Sequence, residues 1–171
     1  HQNAHLPEGR KFHGGELKKP EVKAAWEAVD TLAKKSICLR RTFQVGDTTE
    51  GNTNRQSGKK IVEATAYVCG LGFYELSGNG KKVGNSEFAP LWSDYDKTVY
   101  YNTYDVTEQL RHGENAVGIL LGNGFYNVQG GRYRKLQISF GPPTLLFELV
   151  INYEDGTSTT LRSDNDWKYD F

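Results

Sequence analysis

The sequence has no methionine, only two cysteines and no net charge, with 21 Lys and Arg residues against 21 Asp and Glu residues. Zero net charge argues against a nucleic-acid-binding protein, because such proteins neutralise phosphates with an excess of basic side chains. No apolar run approaches the ~20 residues that a membrane-spanning helix needs, so we expect a soluble protein without a membrane partner. Since the chain begins without methionine or an apolar signal segment, we expect a processed piece of a longer protein.

The two cysteines, Cys38 and Cys69, belong to no Cys-x-x-Cys or Cys/His spacing. This excludes the usual zinc-ligand patterns. Both cysteines lie in predicted strands, and two interpretations remain open. Either both are small buried apolar side chains, or they form a disulfide between neighbouring strands, which requires an oxidising compartment.

Aromatic residues and glycine are abundant, at 12% aromatic and 19 Gly in 171 residues. This mixture, with frequent turn residues and β-branched runs, is typical of all-β proteins. Alternating or β-branched patterns predict strands at residues 36–45, 61–70, 97–106, 116–122, 144–153 and 158–163, and a two-stranded hairpin at residues 72–84. Tight hairpin turns are predicted at Gly78-Asn79-Gly80 and Asp155-Gly156, and one helical turn with Thr107 as its N-cap.

We therefore predict a jelly-roll-like antiparallel β-sandwich of roughly eight strands over residues 36–171. Residues 1–35 are polar, with Gly and Pro at short intervals, which is typical of an extended arm. A short helix is predicted inside this arm, with Pro20 near its start.

Two acidic motifs are candidate sites. Asp94 and Asp96 would share one face of a strand about 6–7 Å apart, whereas a retaining glycosidase needs two carboxyl groups about 5–5.5 Å apart. We interpret the pair as turn-capping residues. The run Asp164–Asp166 is similar to the start of a calcium loop but lacks its Gly and distal Glu, which favours a turn before Trp167. We predict no catalytic residue in this chain.

The segment 122–143 interleaves aromatic and basic residues, including Phe125, Tyr126, Arg132 and Arg134. Such a mixture stacks on bases and pairs with phosphates in nucleic-acid-binding proteins. It also suits sugars, because aromatic faces pack on sugar C–H groups while Arg and Asn donate to hydroxyls. The neutral chain favours sugar, and the alternative is that this loop packs against a neighbouring domain or its own sandwich.

Four segments together resemble the N-terminal β-sandwich domain of bacterial α-L-rhamnosidases. They are YVCGLGFYELSGNGKKVG, FAPLWSDYDKTVYYNTYDVTEQL, GENAVGILLGNGFYN and YEDGTSTTLRSDNDW, at residues 67–84, 88–110, 113–127 and 153–167. The resemblance extends from about Ile37 to Trp167 and leaves the arm without a counterpart. It implies an auxiliary domain ahead of a catalytic (α/α)6 barrel, in a periplasmic or extracellular bacterial glycoside hydrolase. The domain itself would be non-catalytic, would pack on or assist that barrel, and would require no cofactor.

The resemblance also implies an alternative function, since some related modules bind L-rhamnose through a calcium ion held by acidic and Asn side chains. The corresponding loops here offer Asn79, Asn123 and Asn127, and Gly78 stands where such a module offers a carboxylate. This alternative is a carbohydrate-binding module with weak, calcium-assisted binding of rhamnose-containing glycans, with Asn79 and Asn127 as calcium ligands. Its sugar site would comprise Asn79, Asn123, Phe125, Tyr126, Asn127, Arg132 and Arg134. A second alternative is a stand-alone adhesin or interaction domain.

Overall fold

The computed structural model describes residues 35–46, 59–128 and 139–171, and these form a two-sheet antiparallel β-sandwich. The predicted all-β fold is confirmed. One short 3-10 turn is the only helical element in this part of the chain, and nothing in it is a helix long and apolar enough to cross a membrane. The predicted arm helix lies outside the described residues.

The described residues form nine strands, close to the predicted number. In chain order they are β1 (Ile37–Val45), β2 (Ile61–Leu71), β3 (Phe73–Gly78), β4 (Lys81–Lys82), β5 (Asn102–Asp105), β6 (Gly113–Gly122), β7 (Thr144–Tyr153), β8 (Ser158–Arg162) and β9 (Lys168–Asp170). One sheet has the strand order β4-β3-β6-β1-β9, and the other has the order β5-β2-β7-β8.

The core lies between the two sheets and is built by alternation along the long strands. Because successive side chains of a strand point to opposite faces, one set of residues from each strand is buried. Val68 of β2, Leu121 of β6, and Phe147 and Ile151 of β7 are fully buried. Burying a side chain of this size contributes about 1.5–3 kcal/mol, so these strands hold the sheets together.

The same alternation decides the state of the cysteines. Ile37 and Val45 at the two ends of β1 are buried, which turns Cys38 to the outer face, where it is exposed. Cys69 is buried, as predicted, and burial raises the pKa of its thiol to about 11. The prediction that both are buried is therefore wrong for Cys38. The disulfide alternative is also wrong, because both thiols are free and their strands belong to different sheets.

The turn after β5 differs from its predicted form. The 3-10 turn spans Thr107–Gln109. Its N-cap residue is Val106 rather than the predicted Thr107, and no side-chain hydrogen bond caps the turn. The Thr107 hydroxyl instead accepts a hydrogen bond from Ala64 N–H of β2 at 2.9 Å and donates to the Asp105 carboxylate at 2.6 Å. Thr107 therefore ties this turn to the neighbouring strand.

The predicted hairpin at Asp155-Gly156 joins β7 to β8. Gly156 has a φ of +81°, which glycine adopts without strain. The Asp155 carboxylate accepts hydrogen bonds from the Thr157 hydroxyl at 2.6 Å and the Thr157 N–H at 2.9 Å, and it pairs with Lys59 at 3.1 Å. These interactions lower the pKa of Asp155 to about 2, and the hydrogen bond from the Thr157 hydroxyl is the largest cause.

Candidate functional site

Aromatic side chains meet at one end of the sandwich, where β3 begins and β6 ends. The ring centroid of Phe73 lies 5.5 Å from that of Phe88 and 5.7 Å from that of Phe125, which in turn lies 6.0 Å from Trp92. We call these four rings the aromatic patch, and this end of the sandwich the aromatic end. Phe88, Trp92 and Phe125 are 71%, 68% and 54% exposed, so the patch faces outward.

The backbone beneath the patch is anchored in the core. Ala89 and Pro90, between Phe88 and Trp92 in the chain, are buried. The Tyr74 N–H donates a hydrogen bond to the Ala89 carbonyl at 2.7 Å, which joins this connection to β3. Phe88 and Trp92 are therefore displayed on either side of a fixed segment.

Two glycines allow the other half of the patch to form. A Cβ atom at Gly72 would lie 2.1 Å from the Gly122 carbonyl oxygen, and a Cβ atom at Gly124 would lie 2.8 Å from the Phe73 nitrogen. Real Cβ atoms do not approach backbone this closely. Gly124 also has a φ of +52°, which favours glycine. The glycines therefore let the chain at the end of β6 pass close to the start of β3, which places Phe125 on Phe73.

A second group of rings, Tyr95, Tyr126 and Phe140, lies beside the patch; we call it the tyrosine cluster. Its centroid distances are 5.1, 5.3 and 5.8 Å, and the Tyr126 hydroxyl donates to the Phe140 carbonyl at 3.2 Å. Burial raises the pKa of Tyr95 and of Tyr126. These tyrosines therefore pack loops together more than they face outward.

Asn123 and Asn127, both predicted as sugar-site residues, lie at the aromatic end. Asn127 is only 2% exposed. Its amide nitrogen donates to the Asn123 side-chain oxygen at 2.9 Å, and its side-chain oxygen accepts from the Ser139 hydroxyl at 2.8 Å. The Asn127 amide, predicted as a calcium ligand, thus holds the turn after β6 to the start of the next described segment.

Asn79 occupies the opposite end of the sandwich. It follows β3, whereas Asn123 and Asn127 follow β6, and the two strands pair antiparallel over the whole of β3. Five residues of strand rise, about 17 Å, separate the two ends. Since calcium ligands lie about 2.3–2.6 Å from the ion, Asn79 and Asn127 are not brought together around one ion in this structure.

The Asn79 side chain is used inside the fold. Its oxygen accepts a hydrogen bond from Ala116 N–H at 2.9 Å, and its nitrogen donates to the Gln109 carbonyl at 2.8 Å and the Asn115 side-chain oxygen at 2.9 Å. Asn79 has a φ of +50°, as expected for the predicted hairpin turn. It locks this hairpin to the beginning of β6.

The acidic motifs form turns, as predicted. The Asp94 carbonyl accepts hydrogen bonds from the N–H groups of Lys97 and Thr98 at 2.9 and 2.8 Å, and its carboxylate pairs with Lys97 at 2.8 Å. The Asp164 carboxylate accepts from Asp166 N–H at 3.0 Å. No group of three or more His, Cys, Asp or Glu side chains in the described ranges could hold a metal ion.

The sequence predicts part of this site. Phe125 and Tyr126 are predicted to bind sugar, whereas Phe73, Phe88 and Trp92 are not. The predicted Arg132 and Arg134 lie outside the described residues. The available signal was the segment FAPLW at 88–92, where large apolar residues stand beside a proline without strand alternation. Such a pattern indicates rings on a loop rather than in a core.

The comparisons with known proteins agree with this fold. A family model described as the α-L-rhamnosidase N-terminal domain matches residues 59–170, more than half of the chain. The chain belongs to this family. The resemblance noted in the sequence is confirmed.

Two curated α-L-rhamnosidases are similar to this rhamnosidase N-terminal domain. One, from Formosa agariphila, is 46% identical over 114 residues, which cover 64% of this chain and 12% of that protein. Another, from Streptomyces avermitilis, is 37% identical over 154 residues, covering 86% of this chain and 14% of that protein. The chain therefore spans only about one-eighth of the length of these relatives.

Solved structures of the same kind match as well. The crystal structure of Streptomyces avermitilis α-L-rhamnosidase complexed with L-rhamnose is 35% identical with a TM-score of 0.65, covering 81% of this chain and 12% of that one. Native α-L-rhamnosidase from Aspergillus terreus is 34% identical with a TM-score of 0.68, covering 80% and 14%. The rhamnosidase N-terminal domain is thus one part of much larger chains in these relatives.

Proposed function

We propose that this chain is the non-catalytic N-terminal sandwich domain of an α-L-rhamnosidase and acts as a structural partner of the catalytic barrel in the same polypeptide. The observation that carries the proposal is the family match over residues 59–170, together with relatives in which the matching part is only 12–14% of the whole chain. Most of each relative lies outside the matching part, and we place the hydrolytic machinery there. The periplasmic or extracellular location stays a prediction.

Two carboxylates of the described residues, Asp105 and Asp155, are unsuited to the acid role in glycoside hydrolysis. Glycoside hydrolysis needs a carboxylic acid whose pKa is raised, so that it can protonate the leaving oxygen near neutral pH. The pKa values of Asp105 and Asp155 are shifted the other way, because hydrogen bonds from Thr107 and Thr157 stabilise their ionised forms. The paired carboxylates closest in sequence to a glycosidase motif, Asp94 and Asp96, belong to a turn.

The test is hydrolysis of an aryl α-L-rhamnoside by this chain and by the full parent polypeptide. We expect the parent to release the aryl group and the 171-residue chain to release none. The proposal would be contradicted if the 171-residue chain turned over the substrate and Asp94→Ala or Asp96→Ala abolished that turnover. Asp164→Ala, which removes another turn carboxylate, is the matched control and should leave any such turnover intact. An inactive parent would contradict it as well.

A second candidate function is weak, calcium-assisted binding of L-rhamnose-containing glycans. The observation in its favour is the exposure of Trp92 and Phe125, since such rings can pack on the apolar face of a sugar. Titration calorimetry with L-rhamnose tests it, and this function requires binding that a chelator removes and that Trp92→Ala and Asn127→Ala weaken. Flat titrations in millimolar calcium would exclude it. We do not propose the stand-alone adhesin, since the matching domain is part of much longer chains in these relatives.

A further inference from the structure

We infer that the aromatic patch is the surface by which this domain docks onto the catalytic part of its own polypeptide. The inference rests on the proposed function and adds the place of contact, the four rings Phe73, Phe88, Trp92 and Phe125. Its partner surface is apolar and belongs to the same chain.

The first support is where the exposed apolar residues lie. Ten large apolar residues are exposed in the described part of the chain, and half of them belong to the aromatic end. They are Phe88, Leu91, Trp92, Phe125 and Phe140. Scattered exposed apolar residues are ordinary, whereas a contiguous patch marks a binding or interaction surface.

The second support is that the exposure is built into the fold. Buried Ala89 and Pro90 hold the backbone between Phe88 and Trp92, and the close approach at Gly124 sets Phe125 against Phe73. The rings are therefore held in place before any partner arrives. A preorganised surface loses little conformational entropy on docking.

The third support is the chemistry of the patch. The chain segments that carry its exposed rings, 88–92 and 123–127, contain no charged residue. The nearby amide of Asn127 is bonded to Asn123 and Ser139. Binding a sugar against water requires several oriented donors and acceptors. An uncharged ring surface is better matched by an apolar protein surface.

The area of the patch favours a tethered partner over a second copy. Three aromatic side chains that bury about 200 Å² each when covered, at 54–71% exposure, present about 400 Å². A standard stable interface between separate proteins buries about 800 Å² per partner, whereas contacts between domains of one chain begin near 300 Å² per side. A partner on the same polypeptide also has a high effective concentration, about millimolar for short linkers.

The experiment is site-specific photo-cross-linking in the full parent polypeptide. A benzophenone amino acid replaces Trp92 in one sample and Val62 in the control. Val62 is 59% exposed, close to the 68% of Trp92, and lies at the start of β2, far from the aromatic end. We expect the probe at position 92 to cross-link within one polypeptide to a peptide outside these 171 residues, and the probe at position 62 to give no such product.

Three outcomes would overturn the inference. They are the absence of a product at position 92, equal products at positions 92 and 62, and cross-links that join two copies of the polypeptide. Loss of glycan binding in Trp92→Ala, with no intramolecular cross-link, would assign the patch to sugar instead. Hydrolysis of an aryl α-L-rhamnoside is measured on the same samples. An active parent without the cross-link removes only the docking inference, and an inactive parent removes the proposed function whatever the cross-links show.

Discussion

Replacement of Asn79 separates its role inside the fold from the predicted role as a calcium ligand. Asn79→Gly removes three side-chain hydrogen bonds, to Gln109, Asn115 and Ala116. At about 1 kcal/mol net for each bond, the free energy of unfolding should fall by about 3 kcal/mol. Glycine tolerates the φ of +50° at this position, so this variant isolates the side chain.

Asn79→Ala should be less stable than Asn79→Gly by about 1 kcal/mol, because a Cβ atom is strained in the left-handed region. Urea unfolding measures both effects. With a slope of roughly 2 kcal/mol per molar urea, a loss of about 3 kcal/mol lowers the midpoint by about 1.5 M. Asn152→Ala is the control, since that side chain makes only a long, exposed 3.4 Å contact with Glu63, and its midpoint should barely move.

Neither calcium nor a chelator should alter these differences, because the bonds are internal to the fold. A calcium ligand would behave otherwise, since an ion bound to the folded state stabilises it by mass action. This role of Asn79 is refuted if Asn79→Gly unfolds at the midpoint of the unchanged chain. It is also refuted if calcium stabilises the unchanged chain and Asn79→Ala abolishes that effect.

Three further measurements test the described geometry. An aromatic disulfide reagent near pH 8 should modify exposed Cys38 rapidly and spare Cys69, whose pKa of about 11 keeps it protonated. Cys38→Ser should abolish the rapid phase. Fast reaction of both thiols would contradict the burial of Cys69. Because the folded-state pKa of Asp155 is lowered from 3.8 to about 2, its stabilisation is present above the unfolded pKa and is lost as the pH falls toward 2. Asp155→Asn should flatten the pH dependence of unfolding over that range, and an unchanged slope would count against the hydrogen bonds. Gly124→Ala should destabilise the chain by about 1–3 kcal/mol more than Gly80→Ala. Gly80 is the control, since it also has a positive φ but a Cβ atom added there would have nothing within 4 Å. Equal losses of stability in thermal unfolding would show that the backbone does not approach Gly124 closely.

The strands were predictable because their signals are local. Alternation in ICLRRTFQV and TLLFELVINY identified β1 and β7 almost residue by residue, and Asp155-Gly156 identified the hairpin after β7. The run 97–106 predicted a longer strand than β5, which covers Asn102–Asp105. Its first residues, Lys97 and Thr98, instead form a turn in which their N–H groups donate hydrogen bonds to the Asp94 carbonyl. Local β propensity there gave way to a loop that carries Tyr95 into the tyrosine cluster.

The candidate site was less predictable because its residues come from distant parts of the chain. Phe125 and Tyr126 stood out in a loop of mixed aromatic and basic residues. Phe73 and Phe88 had no local signal that links them to that loop, since their contact depends on how β3 lies beside β6. The calcium pair failed to assemble for the same reason, because strand pairing carries Asn79 and Asn127 to opposite ends.

The sequence by itself determined the all-β class, the family and the positions of most strands, because alternation, turn residues and a set of ordered motifs are written in short stretches of chain. Only the tertiary structure decided which residues meet. The burial of both ends of β1 turned Cys38 outward, the backbone approach at Gly124 set Phe125 on Phe73, and buried Ala89 and Pro90 left Phe88 and Trp92 on the surface. These outcomes depend on sheet pairing and packing between segments tens of residues apart, and no short stretch of sequence contains that information.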